Sequence, residues 1–172
     1  QLGVELGVGG LDDALQQAVQ REARRFFALD PEQKQQVAMI HSPHFRGYNR
    51  AASELTRGPP DWREQFDLRS ARPAPLLENS DPSCQRLHGP TPRPDAPPPP
   101  PPALPPPPPA VAGTAITLPP PLPPTLNLPP DAFDTLYGDK PNEHIKLIRY
   151  PGRAPDQSAQ GVGAHKDSGF LS

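Results

Sequence analysis

The sequence has little cysteine, few aromatic residues and no large excess of charge. Its one cysteine, Cys84, excludes a disulfide within the chain, and a lone thiol suits a reducing compartment. Aromatic residues make up 6% of the chain and hydrophobic residues 34%, which is far from the globular average. The formal net charge is -2, with both signs interspersed, so we expect neither nucleic acid nor a membrane as a partner.

Long apolar runs are also missing. No segment approaches the ~20 apolar residues that cross a bilayer, and the N-terminus lacks the basic and apolar regions of a signal peptide. These two features favour a soluble, cytoplasmic protein. The chain begins with Gln1 and not with Met, inside what reads as an ongoing pattern, so we expect a fragment.

Proline is the residue in excess, and it is concentrated in one segment. Of the 31 prolines, 21 lie in residues 90–130. Such a run has few amide donors for helix or sheet and favours polyproline II, which rises ~3.1 Å per residue with a solvated backbone. We expect residues 71–130 to be a disordered linker or insertion that contributes nothing to a core. The foldable sequence then lies in residues 1–70 and 131–172.

The N-terminal part predicts two helices followed by extended segments. Apolar residues recur with helical spacing over residues 11–29. Asp30-Pro31-Glu32-Gln33 combines a capping residue, a first-turn proline and a glutamine that can close a capping box, and it predicts a second helix to about Met39. Residues 62–68 predict a strand that buries Trp62, Phe66 and Leu68 on one face.

The C-terminal part predicts two strands. Residues 144–150 alternate with a period of two, and Pro151-Gly152 follows them as a stop signal. Residues 161–165 are a second strand candidate. Together with the N-terminal helices, these segments predict an α+β chain.

His165 and Asp167 are the candidate metal ligands. In a strand, residues i and i+2 point to the same face, which would bring the imidazole and the carboxylate side by side. One more histidine would complete the two-histidine, one-carboxylate set that leaves three positions open on Fe(II). The tripeptide alone is weak, because His-x-Asp arises often by chance, and a surface turn is the alternative. No spacing directs the other histidines toward His165; these are His41, His44, His88 and His144.

Five blocks of sequence occur in a definite order: residues 24–34, Phe45-Arg46-Gly47-Tyr48, residues 61–67, residues 146–151 and residues 163–171. In type and order these blocks resemble the isopenicillin N synthase-like group of non-haem Fe(II)/2-oxoglutarate dioxygenases. The resemblance implies N-terminal helices followed by a partial double-stranded β-helix, or jelly roll, interrupted by the proline-rich segment. It also implies Fe(II), 2-oxoglutarate as cosubstrate and a small-molecule substrate.

Residue by residue, the resemblance implies a limited site. His165 and Asp167 match the iron-binding His-x-Asp, and Tyr150 matches a tyrosine near the cosubstrate pocket. Ile148 stands where members with an Asn-x-Tyr motif carry asparagine. The family's distal histidine and its Arg-x-Ser lie well downstream of His-x-Asp, whereas only five residues follow Asp167 here. We therefore expect no turnover from this chain alone.

Two other readings stay open. The proline run at residues 97–109 could present a polyproline II ligand to SH3-, WW-, EVH1- or profilin-like partners. The chain could also be a misassembled sequence in which the proline-rich segment is not natural coding sequence. Because the later strands of the jelly roll are missing from the sequence, we expect Ile145, Leu147 and Phe170 to lack a facing sheet and to leave an aggregation-prone edge.

Overall fold

The computed structural model describes residues 13–68, 89–92, 122–134 and 144–167. Its helices are α1 (Asp13–Phe27), α2 (Pro31–Gln35) and α3 (Leu122–Thr125), with a 3₁₀ turn at Met39–His41. Its strands are β1 (Gly47–Asn49), β2 (Glu64–Leu68) and β3 (Ile145–Arg149). Within these ranges no helix is long and apolar enough to cross a bilayer.

Helix α1 follows the charge preference of the helix dipole. Asp13 lies in its first turn, and Arg24 and Arg25 lie in its last turn. Burial is concentrated at the end of the helix, where Phe26 and Phe27 enter the core. The predicted amphipathic helix is therefore confirmed over the described residues.

Helix α2 begins as the sequence predicts and ends early. Pro31 occupies the first turn, where a missing amide costs no helical hydrogen bond. The side-chain oxygen of Gln33 accepts a hydrogen bond from the backbone amide of Asp30 at 3.2 Å, as in a capping box. The α-helix ends at Gln35 rather than near Met39, and a 3₁₀ turn follows.

Strand β1 passes close to the end of α2. The amide of Tyr48 donates to the carbonyl of Val37 at 2.8 Å. At Gly47, φ is 124°, and a Cβ would lie 2.5 Å from the Val37 carbonyl oxygen. Glycine therefore permits a crossing that a side chain would displace.

The three strands form one antiparallel sheet in the order β1-β2-β3. Tyr48 pairs with Phe66, and Phe66 pairs with Leu147, so these side chains share one face. The face packs on the helices, with the Phe26 and Phe66 ring centroids 4.6 Å apart. The buried core consists of Phe26, Phe27, Val37, Tyr48, Phe66 and Leu68.

A buried charge network ties the helices to the sheet. Glu64 accepts hydrogen bonds from Lys34 Nζ at 2.9 Å, from the Tyr48 hydroxyl at 2.6 Å and from Arg149 Nη1 at 2.9 Å. The carbonyl of Phe27 accepts from Lys34 at 3.2 Å and from Arg149 at 3.0 Å. Burial, together with the hydrogen bond to Glu64, raises the pKa of Tyr48. The network links α1, α2 and all three strands.

The predicted mixture of helices and antiparallel strands is confirmed, with two corrections. We expected Ile145 and Leu147 to lack a facing sheet and to leave an exposed edge, but both are half-buried and pack on the core. The core that covers them includes side chains of α1 and of the segment after α2, instead of a second sheet. Phe170 lies outside the described residues. The jelly roll stays a prediction.

The second correction concerns the proline-rich segment. Residues 122–125 form a helical turn in which Pro123 is buried, although we expected no helix or core there. A single turn tolerates proline because its first amides have no helical partner. The amide of Leu126 donates to the carbonyl of Pro123 at 3.0 Å and closes the turn. Residues 97–109 lie outside the described part of the chain, so their disorder and their partner remain predictions.

Candidate metal site

Residues 161–167, which carry the predicted metal ligands, are not a strand. They run as bends and irregular backbone beside the loop that precedes β2. The prediction of a strand at residues 161–165 is therefore wrong. The physical reason is that the backbone amide of Gly163 donates to the side chain of Asp61, in the loop before β2, and not to a neighbouring strand.

Asp61 holds the segment through a carboxylate with 0% exposure. Its Oδ1 accepts hydrogen bonds from the side-chain amide of Gln160 at 2.8 Å and from the backbone amide of Gly163 at 3.1 Å. Its Oδ2 accepts from the Thr56 hydroxyl at 2.5 Å and lies 3.8 Å from the Arg63 guanidinium. Both oxygens therefore have partners, as a buried anion requires. We call Thr56, Asp61, Gln160 and Gly163 the Asp61 clamp.

The charge state of Asp61 follows from these contacts. Burial alone would raise the pKa of Asp61, because a low dielectric disfavours the charged form. The hydrogen bonds from Thr56, Gln160 and Gly163, together with the charge of Arg63, outweigh burial and lower the pKa below its usual range. Asp61 is an anion at neutral pH, and it accepts hydrogen bonds more strongly for that reason.

Gly163 is a glycine for a steric reason. It is buried, and a Cβ at this position would overlap the carbonyl oxygen of Thr56. The same carbonyl accepts a hydrogen bond from the side chain of Gln160 at 3.2 Å. The two backbone segments are thus packed directly against each other, two residues before His165.

Trp62 adds a second attachment beside the Asp61 clamp. Its backbone amide donates to the carbonyl of Gln160 at 2.7 Å, and its indole nitrogen donates to the carbonyl of Gly152 at 3.2 Å. The Tyr150 ring lies against Gly161, where a Cβ would be 3.0 Å from a ring carbon. Tyr150 itself is 56% exposed. The residue predicted near the cosubstrate therefore lies beside the segment that leads to His165.

The side chains of His165 and Asp167 lie together. His165 Nε2 is 3.3 Å from Asp167 Oδ1, and both side chains are exposed to solvent. His165 Nδ1 is 2.8 Å from the carbonyl oxygen of Gly163. A carbonyl oxygen can only accept, so Nδ1 carries the proton, and in the neutral ring Nε2 has its lone pair available.

This arrangement fits a metal ion. Metal-bound histidines commonly donate their other ring N–H to a backbone carbonyl, which fixes the tautomer and orients the ring. Two cis ligands at about 2.1 Å from one metal would be about 3.0 Å apart, close to the 3.3 Å between His165 Nε2 and Asp167 Oδ1. The pair can therefore present one nitrogen and one oxygen to a single cation.

The described part of the chain brings no further ligand to this pair. His144 Nε2 lies 2.6 Å from Oδ1 of the buried Asp67, at the start of β3. His41 is exposed on the 3₁₀ turn, and His44 is half-buried in the loop before β1. Across residues 13–68, 89–92, 122–134 and 144–167, no group of three or more His, Cys, Asp or Glu side chains is arranged to hold a metal. His88 is not among these residues.

No local sequence pattern singles out Asp61, Thr56 or Gln160. An aspartate beside Trp62 reads as an exposed loop residue, because carboxylates are almost never fully buried unless paired. The partners of Asp61 lie up to 102 residues away along the chain, so no local pattern reveals them. The one available signal was that Asp61-Trp62 opens one of the blocks that resemble the dioxygenases.

Comparison with known proteins agrees with that resemblance. The family described as "non-haem dioxygenase in morphine synthesis N-terminal" matches residues 6–96, more than half of the chain. A 2-oxoglutarate-dependent dioxygenase of Dothideomycetidae sp. (strain 11243) is 32% identical over 162 residues, covering 92% of this chain and 43% of that protein. A homoarginine-6-hydroxylase of Oryza sativa subsp. japonica is 26% identical over 167 residues, covering 94% of this chain and 50% of that protein.

A solved 2OG-Fe(II) oxygenase family protein from Caulobacter crescentus has a TM-score of 0.45 and 23% identity, covering 88% of this chain and 47% of that one. The chain spans about half the length of the curated relatives it matches. On the strength of the family match, the chain belongs to the non-haem Fe(II)/2-oxoglutarate-dependent dioxygenase family, as its sequence blocks predict.

Proposed function

We propose that this chain serves the Fe(II)- and 2-oxoglutarate-dependent oxidation of a small organic molecule. The support is membership of the dioxygenase family and two relatives whose names give 2-oxoglutarate dependence or hydroxylation of homoarginine. The first relative is matched along 92% of this chain. The similarity therefore extends well beyond the family's N-terminal region at residues 6–96.

His165 and Asp167 are proposed as two of the protein ligands of the iron. The observation that carries this proposal is the pairing of their donor atoms at 3.3 Å, with His165 Nδ1 engaged by the Gly163 carbonyl at 2.8 Å. The hydrogen bond orients the ring, and it leaves Nε2 to the metal. Asp167 contributes a carboxylate oxygen and part of the charge that offsets the cation.

Tyr150 is proposed to line the cosubstrate side of the site. Its ring packs on Gly161 and its side chain is 56% exposed, so the phenol is accessible beside the metal-ligand segment. The phenol O–H can donate a hydrogen bond to a carboxylate or keto oxygen of 2-oxoglutarate. When bound, Fe(II) and 2-oxoglutarate supply the activation of dioxygen, and this chain's residues bind and orient them.

Metal titration tests the proposal on the chain as it exists. Fe(II) is added under anaerobic conditions to the wild-type protein, with and without 2-oxoglutarate, and the binding heat is measured. We expect binding that 2-oxoglutarate strengthens, and at least ~10-fold weaker binding in His165→Ala. His41→Ala is the matched control, because His41 is an exposed histidine outside the site.

Equal Fe(II) affinity in the wild type and in His165→Ala would contradict the ligand assignment. Loss of affinity in His41→Ala to the same extent would also contradict it. Turnover is assayed separately, as succinate formed from 2-oxoglutarate.

A further inference from the structure

We infer that Asp61 is a positioning residue for the candidate metal ligands: its buried carboxylate fixes the backbone of Gly163, and Gly163 in turn fixes the ring of His165. The inference rests on the proposed function in one respect, the identity of the ligands. It adds that a residue within the matched N-terminal family region, residues 6–96, organises a site more than 100 positions later.

The first step of the argument is that the ligand segment has little support of its own. Residues 164–167 are all exposed and have no regular secondary structure. A surface segment of this kind ordinarily samples many conformations. Among the described residues next to the pair, Gly163 is buried and supports the segment.

The second step is the path from Asp61 to the imidazole. Asp61 Oδ1 accepts from the Gly163 amide at 3.1 Å, and the Gly163 carbonyl accepts from His165 Nδ1 at 2.8 Å. One glycine thus bonds to the carboxylate on its nitrogen side and to the imidazole on its oxygen side. A shift of Gly163 moves the acceptor that selects the tautomer of His165.

The third step is the fit of the Asp61 clamp. The carboxylate is fully buried, both of its oxygens are engaged, and Gln160 Nε2 donates to Asp61 at 2.8 Å, to the carbonyl of Pro59 at 3.0 Å and to that of Thr56 at 3.2 Å. Gly163 lies so close to Thr56 that no Cβ fits. The position of Gly163 is therefore determined both by its hydrogen bond to Asp61 and by its steric contact with Thr56. A metal ligand needs neighbours that are held in place in this way.

The inference predicts different results for two substitutions of the same residue. Asp61→Ala removes the acceptor and leaves the buried Gly163 amide without its partner. Asp61→Asn keeps an oxygen at the Oδ1 position, and the new amide group can donate to the Thr56 hydroxyl, which can accept as well as donate. In the alanine variant, residues 163–167 should lose their fixed conformation, whereas in the asparagine variant they should keep it.

Nuclear magnetic resonance measures both consequences on the full chain. The ¹⁵N shifts of the His165 ring report its tautomer without any metal, and Mn²⁺ titration reports affinity through broadening of the backbone amide signals of residues 164–167. For Asp61→Ala we expect a mixed tautomer and ~10-fold weaker Mn²⁺ binding, the lower end of the range for residues that support a ligand. For Asp61→Asn we expect the Nδ1–H tautomer and an affinity within about threefold of wild type, well inside that ~10-fold loss.

Glu64→Gln is the matched control. Glu64 is a second buried carboxylate, three positions along the chain, with three side-chain donors, and none of its contacts lies in residues 160–167. This variant should unfold at lower temperature and yet keep the tautomer and the Mn²⁺ affinity. Tyr48→Phe, which removes one hydrogen bond to Glu64, replaces it if the Glu64 variant does not fold. An affinity loss in the control equal to that in Asp61→Ala would overturn the inference.

The remaining outcomes separate the two proposals. Wild-type tautomer and affinity in Asp61→Ala would overturn the positioning role and leave the ligand assignment standing. Equal Mn²⁺ binding by wild type and His165→Ala would remove the ligand assignment, while the tautomer comparison would still decide the role of Asp61. If Asp61→Ala does not fold, Gly163→Ala takes its place, because its Cβ meets the Thr56 carbonyl and leaves Asp61 intact. An unchanged tautomer there would overturn the inference.

Discussion

Replacing Glu64 with glutamine should lower the free energy of unfolding by about 3–5 kcal/mol. Lys34 Nζ lies 2.9 Å from Glu64 Oε2, and the two side chains are only 9% and 6% exposed. Glutamine keeps the shape of the side chain but removes its negative charge, so the ammonium of Lys34 would stay buried beside a neutral amide. Domains commonly have about 5–15 kcal/mol of stability in total, so this one charge accounts for a large share.

The ion pair of Glu64 with Arg149 should contribute less to stability than its ion pair with Lys34. Arg149 Nη1 also lies 2.9 Å from Glu64, but its side chain is 48% exposed and water screens its charge. We expect Arg149→Met to cost no more than about 1 kcal/mol, as for surface ion pairs. Both ion-pair distances are 2.9 Å, so the smaller effect expected at Arg149 follows from its exposure to water and not from its distance to Glu64.

Urea unfolding checks these magnitudes, with the fluorescence of Trp62, the one tryptophan of the chain, as the probe. A second substitution, Lys34→Met, is then added to Glu64→Gln. Removing the unpaired ammonium of Lys34 should recover part of the lost stability, because replacing both members of a buried ion pair destabilises a protein less than removing one of them. A loss below about 1 kcal/mol in Glu64→Gln, or additive losses in the double variant, would refute the reasoning.

Two further predictions concern Asp61 and Gly47. The hydrogen bonds to Asp61 lower its pKa despite burial. The stability that Asp61 contributes is therefore complete above the unfolded-state pKa of about 3.9 and is lost as pH falls through the lower folded-state pKa. The urea midpoint should fall with decreasing pH in wild type and not in Asp61→Asn, and an equal pH dependence in both proteins would contradict this. Gly47→Ala should lower the free energy of unfolding by about 1–3 kcal/mol or more, because of the positive φ and the contact of the new Cβ with the Val37 carbonyl. Gly152→Ala is the control, because a Cβ there has no atom within 4 Å, and it should unfold like wild type. Similar urea midpoints for the two variants would count against the steric argument.

Local signals explain which parts of the fold could be predicted. The helical spacing before Phe27, the capping residues around Pro31 and the alternation of β3 are each contained within a few neighbouring positions, and each produced the expected element. The second strand failed because the decisive contact of Gly163 is with Thr56 and Asp61, far away in sequence. Periodicity carries no information about such a contact.

The proximity of His165 and Asp167 was predicted, but by an argument that does not hold. Strand alternation was expected to bring the pair together, whereas the structure does so in an irregular segment through the Gly163 carbonyl. Asp61 was missed because a charged residue reads as solvated, and only its partners reveal that it is buried. Residue chemistry and the family resemblance together therefore predicted the candidate ligands, while their support required the tertiary structure.

The Asp61–Gly163 hydrogen bond closes a very long loop, since 102 positions separate the two residues. The entropy of loop closure grows only with the logarithm of loop length, so doubling the intervening chain would add about 0.6 kcal/mol. The free energy of closing this contact therefore depends only weakly on the length of the chain between its two ends. A change in that length that leaves both ends and the buried Gly89 in place should have little effect on the geometry around His165.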